Sequence, residues 1–563
     1  MDIDILIGQK FYNEGNYKKC IEILSQDKYS NNNDVLLLLA GTYKILAKYE
    51  KALQILANIC NRDVQYIPAY IQQAYIYKEK QLYIYEINLL LNIVEIIKAQ
   101  QKNGYKKYAD KLSEVYSMLG SAYVKIGESK KACCYFLLSS ENEEDKVLKI
   151  KEYSNALFAA NYIYGISDKT LYKLHIKYQY FFDNITQYQN FKMTKNKSKI
   201  KIGYISPDFC MHPVMAWTIN LLLEFNREKF EIYCYSSGNE DEFTEKLKKI
   251  SGVNWRNIKV FLPRQAAENI NNDGIDILFD LSGHTANNCL PILAYKPAPI
   301  QISGIGYFNT TGLQAVDYFL SDKYCIVDKK NTGFTEKIIC MPQSHMCYLP
   351  LTKMPEVGPL PYLKNKYITF GCFNNFNKVN SFILQLWAKI MQKLPTSKLI
   401  LKSQLFNSEQ GQKYAIKRLA RYGLPIDRIE LHEFNKEYLY EYNDIDIALD
   451  TSPYTGGVTT CEALYMGVPV ITLCGKRHGS RFGYSILKNM GLENSIAYSP
   501  NEYIEKTILM IKNIEKLVIL RHELRLKMHK SPLMNGKKYM QYIEYIFERI
   551  YSKNNGILKE EKQ

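Results

Sequence analysis

Four stretches in the first third of the chain are variants of one another: GNYKKCIEIL (15–24), AKYEKALQIL (47–56), KQLYIYEINL (80–89) and GESKKACCYF (127–136). Tyr17, Tyr49 and Tyr83 fall 32 and 34 residues apart, and Ser129 follows 46 later, which implies an insertion around 95–108. A period near 34, with a turn residue, an aromatic and then small-plus-aliphatic spacing, is the signature of stacked helical hairpins of the tetratricopeptide type. Ala52 and Ala132 are small enough to let neighbouring helices approach, and Leu53, Leu56 and Phe136 are placed to fill the seam. Arrays of this kind form concave surfaces that hold a peptide or protein, or serve as scaffolds and dimerisation elements. Helical patterning runs on to about residue 185, and the polar run TQYQNFKMTKNKSK (186–199) reads as a linker.

After Lys199 the period changes from helical to alternating strand and helix. KIKIGYISPDF, FEIYCYS and GIDILFDLSG read as strands with helices between them. YITFGCFNNF, SKLILKS, RIELHEF and the run into LDTSPYTGG read the same way further on. Repeated β–α alternation predicts doubly wound parallel sheets with helices on both faces. The expected partition is a helical domain 1–185, a first α/β lobe 200–354, a Pro- and Gly-bearing linker 355–366, a second lobe 367–515 and a helical strap 516–563. Its last ten residues are expected to fray. Ligands in such folds bind beyond the carboxyl ends of strands, so the cleft served by both lobes is the expected site.

The bulk numbers narrow the function classes. At 563 residues the chain is expected to form more than one domain. A formal charge of +16 favours phosphate-bearing partners. No arginine stripe with interleaved aromatics accompanies it, so nucleic acid is not the expected partner. No run reaches 18 apolar residues, so no membrane span is expected, and the N-terminus lacks signal-peptide organisation. Thirteen scattered cysteines suggest reduced thiols in the cytoplasm, and with no CxxC pair and eight dispersed histidines a metal site is not expected. Neither GxxxxGK[ST] nor GxGxxG occurs, which argues against an ATPase and an NAD enzyme.

Candidate chemistry sits at the strand ends. Asp450 closes a strand, and Pro453, Gly456 and Gly457 turn the chain before Thr459 or Thr460 caps a helix expected from about Cys461. A helix start with hydroxyls is suited to a diphosphate, with Glu462 in its first turn able to hold a ribose; an ordinary capped β–α turn is the alternative. Lys378 follows FGCFNNFN at another strand end and can meet a phosphate as a point charge. SPDFCMHP places Asp208 and His212 at the end of the first strand, and LSGHT places His284 at another. A strand-end histidine is either a base or orienting group, or a surface residue.

These stretches, with KPAPIQISGIGYFNTTGLQAVDYFLSD (296–322) and DIALDTSPYTGGVTTCEALYMGVPVIT (446–472), resemble the intracellular protein O-glycosyltransferases that join tetratricopeptide repeats to a two-lobed catalytic region. That family includes the O-GlcNAc transferases and the SPINDLY-type enzymes. The resemblance covers about 200–515 and implies two Rossmann-like lobes of GT-B type behind an all-α superhelix. It implies inverting, metal-independent transfer from a nucleotide sugar to a Ser or Thr hydroxyl of a protein lying along the repeat groove. UDP-GlcNAc is the expected donor and GDP-fucose the alternative. It also implies His212 as base, with Asp208 in reserve and Lys378 at the pyrophosphate. His284, Asn375, Ser403, Tyr438, Thr459, Thr460 and Glu462 complete the expected donor pocket. The chain departs from O-GlcNAc transferases in having Gly457 and Val458 where they carry a histidine before paired threonines, and Asn435 and Tyr438 where they are basic. A glycan or small-molecule acceptor, and a repeat scaffold with silent lobes, are the remaining readings; a homodimer is compatible with all of them.

Overall fold

The computed structural model describes residues 3–191, 198–328 and 333–556. Residues 192–197 of the expected linker and 557–563 of the expected frayed tail lie outside them. The chain forms two compact units, Met1–Glu152 with Gln404–Lys417, and Tyr153–Ser403 with Arg418–Gln563.

In the first unit the repeated stretches become helical hairpins. Their second helices are Tyr17–Leu24, Tyr49–Arg62, Tyr83–Lys102 and Ser129–Asn142, so each repeated stretch carries the start of one. Half of the extra length in the third spacing comes from Tyr83–Lys102, 20 residues long where Tyr49–Arg62 is 14, and the rest from the longer connection and the longer helix Lys111–Lys125 that follow it. Ala52, Leu56, Ala132 and Phe136 are buried at the seams as their spacing requires, and Leu53 is half-buried. Close approach is also imposed at Gly120, where a side chain would overlap the Phe136 ring. The segment 404–417 belongs to this unit, with Tyr414 OH donating to Glu128 Oε1 at 3.0 Å.

The second unit holds two parallel sheets. The first contains β1 (Ile200–Ser206), β2 (Phe230–Ser236), β3 (Val253–Asn257), β4 (Ile277–Asp280), β5 (Ile300–Gly304), β6 (Tyr318–Asp322) and β7 (Lys337–Met341), in the order β3-β2-β1-β4-β5-β6-β7. The second contains β8 (Thr369–Cys372), β9 (Lys398–Ser403), β10 (Ile429–Glu433), β11 (Ile447–Leu449), β12 (Val470–Leu473) and β13 (Ile496–Ala497), in the order β10-β9-β8-β11-β12-β13. Strands such as β4 and β12 are buried along their whole length, which parallel sheets covered on both faces require. Strand order reverses between β1 and β4 in one sheet and between β8 and β11 in the other. Those two switch points are where a doubly wound sheet opens a crevice for ligand.

Two helices close the unit at the C-terminus. Arg521, fully buried on Ile514–Lys530, donates to Gly358 O (2.8 Å) and Ile445 O (2.7 Å). Helix Gly536–Asn554 then inserts Phe547 against Phe230 of β2 and Phe279 of β4. The helical region expected to run to 185 divides earlier than that. From Tyr153 onward the chain belongs to the second unit, with His175 and Asn161 both bonded at 2.8 Å to the hydroxyl of Tyr307 in the loop after β5.

Candidate functional site

The loop after β11 is built around one carboxylate. Asp450 Oδ1 accepts from the backbone N–H groups of Thr451 (2.8 Å) and Gly456 (2.7 Å), and Oδ2 from Thr472 Oγ1 (2.7 Å). Burial pushes the Asp450 carboxyl up, and the hydrogen bonds oppose that shift. The chain is thereby folded back so that Gly456 passes directly under the next helix. A methyl group there would overlap Thr460 Oγ1 and press on Thr459 Oγ1 (3.0 Å) and Asn374 Oδ1 (3.2 Å), so any larger residue must displace these side chains.

Across the switch point, the loop after β8 carries Asn374, whose side chain joins the two loops. Its Oδ1 accepts from Thr459 Oγ1 (2.9 Å) and Lys378 Nζ (3.3 Å) while its Nδ2 donates to Asp450 Oδ1 (3.4 Å). Lys378 also donates to Thr455 O at 3.0 Å and lies 3.9 Å from the Tyr454 ring centroid. Burial lowers the Lys378 amine to about 8, with the nearby Asp450 charge opposing that shift. An ammonium held this way lacks a full complement of anionic partners, and a diphosphate would supply it. Asn375, expected in the donor pocket, is exposed, and its Oδ1 accepts from Asn377 N at 3.3 Å; the inward residue is its neighbour.

The helix after the loop is Val458–Tyr465, starting three residues earlier than expected, with Gly457 at its cap and no capping side chain. Thr459 is in the first turn, its hydroxyl committed to Asn374, and Thr460 is buried beside it. Glu462 consequently lies in the second turn, not the first. Its Oε1 accepts from Tyr438 OH at 2.6 Å, and its buried Oε2 has no hydrogen-bond partner. Burial raises this carboxyl to about 7, with the Tyr438 bond opposing. A buried, half-satisfied carboxylate beside a free helix start asks for a hydroxyl or N–H from a ligand. Ser403 ends β9 on the same carboxyl edge, half-buried beside β8.

In the first sheet, Asp208 and His212 lie in the turn after β1. His212 is exposed, and its Nδ1 is 3.8 Å from Asp208 Oδ2 and accepts from Val214 N at 3.3 Å. A neutral ring whose Nδ1 accepts carries its proton on Nε2, so as folded His212 presents a donor there. It becomes a base at Nε2 only after moving its proton to Nδ1, facing Asp208. Burial raises the Asp208 carboxyl, with His212 opposing. His284 is placed differently from its expected role. It is fully buried, its Nε2 donating to Thr311 O (2.8 Å) and its Nδ1 meeting Ser154 Oγ (2.7 Å), so both ring nitrogens are consumed inside the protein. It packs against His175, Tyr178 and Tyr307, and burial drives its imidazolium form well out of reach.

Beside Lys378 and across Tyr454 opens a cavity of about 670 Å³, lined by Asp168, Tyr172, Phe308, Tyr454, Arg477 and Gly479 among others. Tyr454 stacks on Phe308 at 4.0 Å between ring centroids, so one aromatic pair links the two sheets' loops at this wall. Arg477 donates from Nε to Asp168 Oδ1 at 2.6 Å, and its buried Nη1 has no partner. Sequence reasoning missed Asn374, Tyr454 and Arg477. The only signal for Asn374 was a paired Asn-Asn after a strand, which does not say which of the two points inward.

Comparison with known proteins agrees with this architecture. The glycosyl transferase family 41 model matches residues 173–348 and 360–543. A probable UDP-N-acetylglucosamine–peptide N-acetylglucosaminyltransferase SPINDLY from Solanum lycopersicum is 35% identical over 409 residues, 70% of this chain and 44% of the relative. The corresponding SEC protein of Arabidopsis thaliana is 27% identical over 369 residues, 63% of this chain and 37% of the relative. The chain thus spans less than half the length of these curated relatives. Among solved structures, a mutant O-GlcNAc transferase of Thermobaculum terrenum superposes with a TM-score of 0.81 at 25% identity, covering 93% of this chain and 98% of that one. With two parallel-sheet lobes behind helical repeats and a family match over more than half its residues, the chain belongs to glycosyl transferase family 41.

Proposed function

We propose that this protein is a nucleotide-sugar-dependent glycosyltransferase that moves N-acetylglucosamine from UDP-GlcNAc to a Ser or Thr hydroxyl of a protein, with inversion. The observation that carries the reading is the convergence at one switch point of Lys378, the uncapped helix start at Gly457 and the unpartnered Glu462 Oε2. Transfer leaves negative charge on the departing diphosphate, and a positioned ammonium with helix N–H groups stabilises it where it develops. Glu462 and Tyr438 would take the ribose or base. The acceptor hydroxyl would enter from the cavity beside Tyr454, with His212 or Asp208 taking its proton. The helical repeats would supply the acceptor-binding surface. UDP-N-acetylglucosamine is favoured as donor because the plant relatives are named for it. A cytoplasmic setting is in keeping with thirteen cysteines that form no disulfide. Among the described residues, no helix is long and apolar enough to cross a membrane.

Calorimetric titration with UDP-GlcNAc, GDP-fucose and their parent nucleotides, for wild type and Lys378→Ala, tests the reading. Micromolar binding of the uridine donor, about −8 kcal/mol, largely lost in the variant, is expected. A guanine preference would replace this donor with GDP-fucose, and absence of nucleotide binding would leave the repeat scaffold as the function.

A further inference from the structure

Away from the donor loop, three metal-ligating side chains from distant parts of the sequence meet in the interior. Cys325 follows β6, His345 follows β7 and His478 lies in the loop after β12. All three are buried, and one ligand atom from each lies within 4.8 Å of the others. Two of the three are already oriented from behind. Asp322 Oδ2 accepts from His345 Nδ1 at 2.6 Å, which fixes that ring and leaves Nε2 as its remaining ligand atom. Carboxylates do this for metal-bound histidines, setting the tautomer and raising the basicity of the other nitrogen. His478 Nε2 is bonded to Ser321 Oγ at 2.8 Å, and its buried Nδ1 makes no hydrogen bond, although the Phe308 main chain lies near. Cys325 Sγ makes a weak contact to Arg481 O at 3.6 Å and also meets the Asp322 carboxylate and the Ser485 hydroxyl. Cys325 and His478 both line the 670 Å³ cavity, which gives an ion a path in and a water a place to sit.

We propose that Cys325, His345 and His478 form a binding site for one zinc-type divalent cation, completed by a water from the cavity. One thiolate, two imidazoles and an open fourth position match the ligand preferences of zinc. Binding releases the Cys325 thiol proton and any proton carried by His345. The thiolate and Asp322 then balance the double charge of the ion, while the neighbouring Arg481 keeps its own charge, turned toward Tyr324 O (2.6 Å) and Gly475 O (2.8 Å). The ion bridges a loop of the first sheet to a loop of the second, so its role is to clamp the two. Lys378, not this ion, faces the donor site, and the inference stands independently of which sugar is transferred.

The test uses the full chain, prepared without a histidine tag, reduced and stripped with chelator, then titrated with Co²⁺ without oxygen. One equivalent should bind, giving the visible bands of four-coordinate cobalt and a near-ultraviolet thiolate-to-cobalt band, both abolished by Zn²⁺. Cys325→Ser should remove the near-ultraviolet band, and His345→Phe and His478→Gln should weaken binding at least tenfold. Cys340→Ser should change nothing. Circular dichroism of each variant separates lost ligands from lost folding, and the wild-type titration needs no variant. Failure of the wild type to bind Co²⁺ or Zn²⁺ stoichiometrically overturns the site. So does six-coordinate cobalt with no thiolate band, or a band that survives in folded Cys325→Ser.

Discussion

Burial pushes two groups near the loop after β11 toward their neutral forms, which suit an empty site and not a loaded one, and their pKa values move in opposite directions. Burial lowers Lys378 to about 8 and raises Glu462 to about 7. A bound diphosphate favours the ammonium, and ribose hydroxyls or base N–H groups donating to Glu462 favour the carboxylate. At pH 8 about half of Lys378 is neutral and about a tenth of Glu462 is protonated, so binding should take up about 0.4 proton net. At pH 6 Lys378 is already charged and about nine-tenths of Glu462 is protonated, so binding should release as much as about 0.9 proton. The linkage therefore changes sign between the two. Calorimetry of UDP-GlcNAc binding in buffers of different ionisation enthalpy reads it directly. The sugar-bearing donor is needed because the terminal phosphate of a parent nucleotide titrates near pH 6 by itself. Lys378→Met should abolish the uptake at pH 8 and keep the release at pH 6, and should weaken binding by about 1.5–3 kcal/mol, roughly ten- to a hundredfold. An enthalpy independent of buffer at pH 8, or uptake that persists in Lys378→Met, would refute the claim that this amine meets the diphosphate.

Asn374→Ala should cost about tenfold or more in donor affinity, because Thr459 and Lys378 both lose their anchor, while Asn375→Ala should stay within about threefold; the reverse ranking would show that the inward residue is misassigned. Gly456→Ala should be folded but impaired in nucleotide binding, since the added methyl displaces Thr459 and Thr460; unchanged binding would show that this hydroxyl cluster does not touch the donor. Glu462→Gln should raise thermal stability at pH 8 by on the order of 2–3 kcal/mol and do little at pH 5. The sign follows because a carboxyl raised above its unfolded value contributes stability below about pH 4.5, which is lost as pH rises through about 7. A stability difference independent of pH would contradict the burial argument. His284→Ala should lower stability by about 2–4 kcal/mol through two orphaned partners and leave donor affinity per folded molecule unchanged. Lost affinity in a fully folded variant would return His284 to the donor pocket.

Much of the architecture was legible in one dimension because it is set by period. The spacing of Tyr17, Tyr49 and Tyr83 located three second helices of the hairpins, and the change of period after Lys199 marked where parallel sheets begin. Turn chemistry around Pro453, Gly456 and Gly457 marked the tight loop after β11, since few sequences let a strand reverse into a helix so tightly. The helix starts three residues before the expected position because the Thr459 hydroxyl, a good cap by composition, is bonded to Asn374 in the loop after β8. That bond joins residues 85 positions apart and has no local trace.

Element types, their order and the residues at strand ends can be read from one dimension, because they follow from backbone preference and from the burial of apolar faces at short range. Which of those side chains turn inward and which stay open depends on contacts between elements far apart in sequence. Asn374 points inward and Asn375 outward; His284 is sealed under the 153–182 segment while His212 stays open. Cys325, His345 and His478, with no usable spacing, are brought to one point by strand order. The reason is that protonation state and free hydrogen-bonding capacity depend on what surrounds a side chain in three dimensions. Lys378 near 8 and Glu462 near 7 are products of the closed loops after β8 and β11, not of their neighbours in sequence.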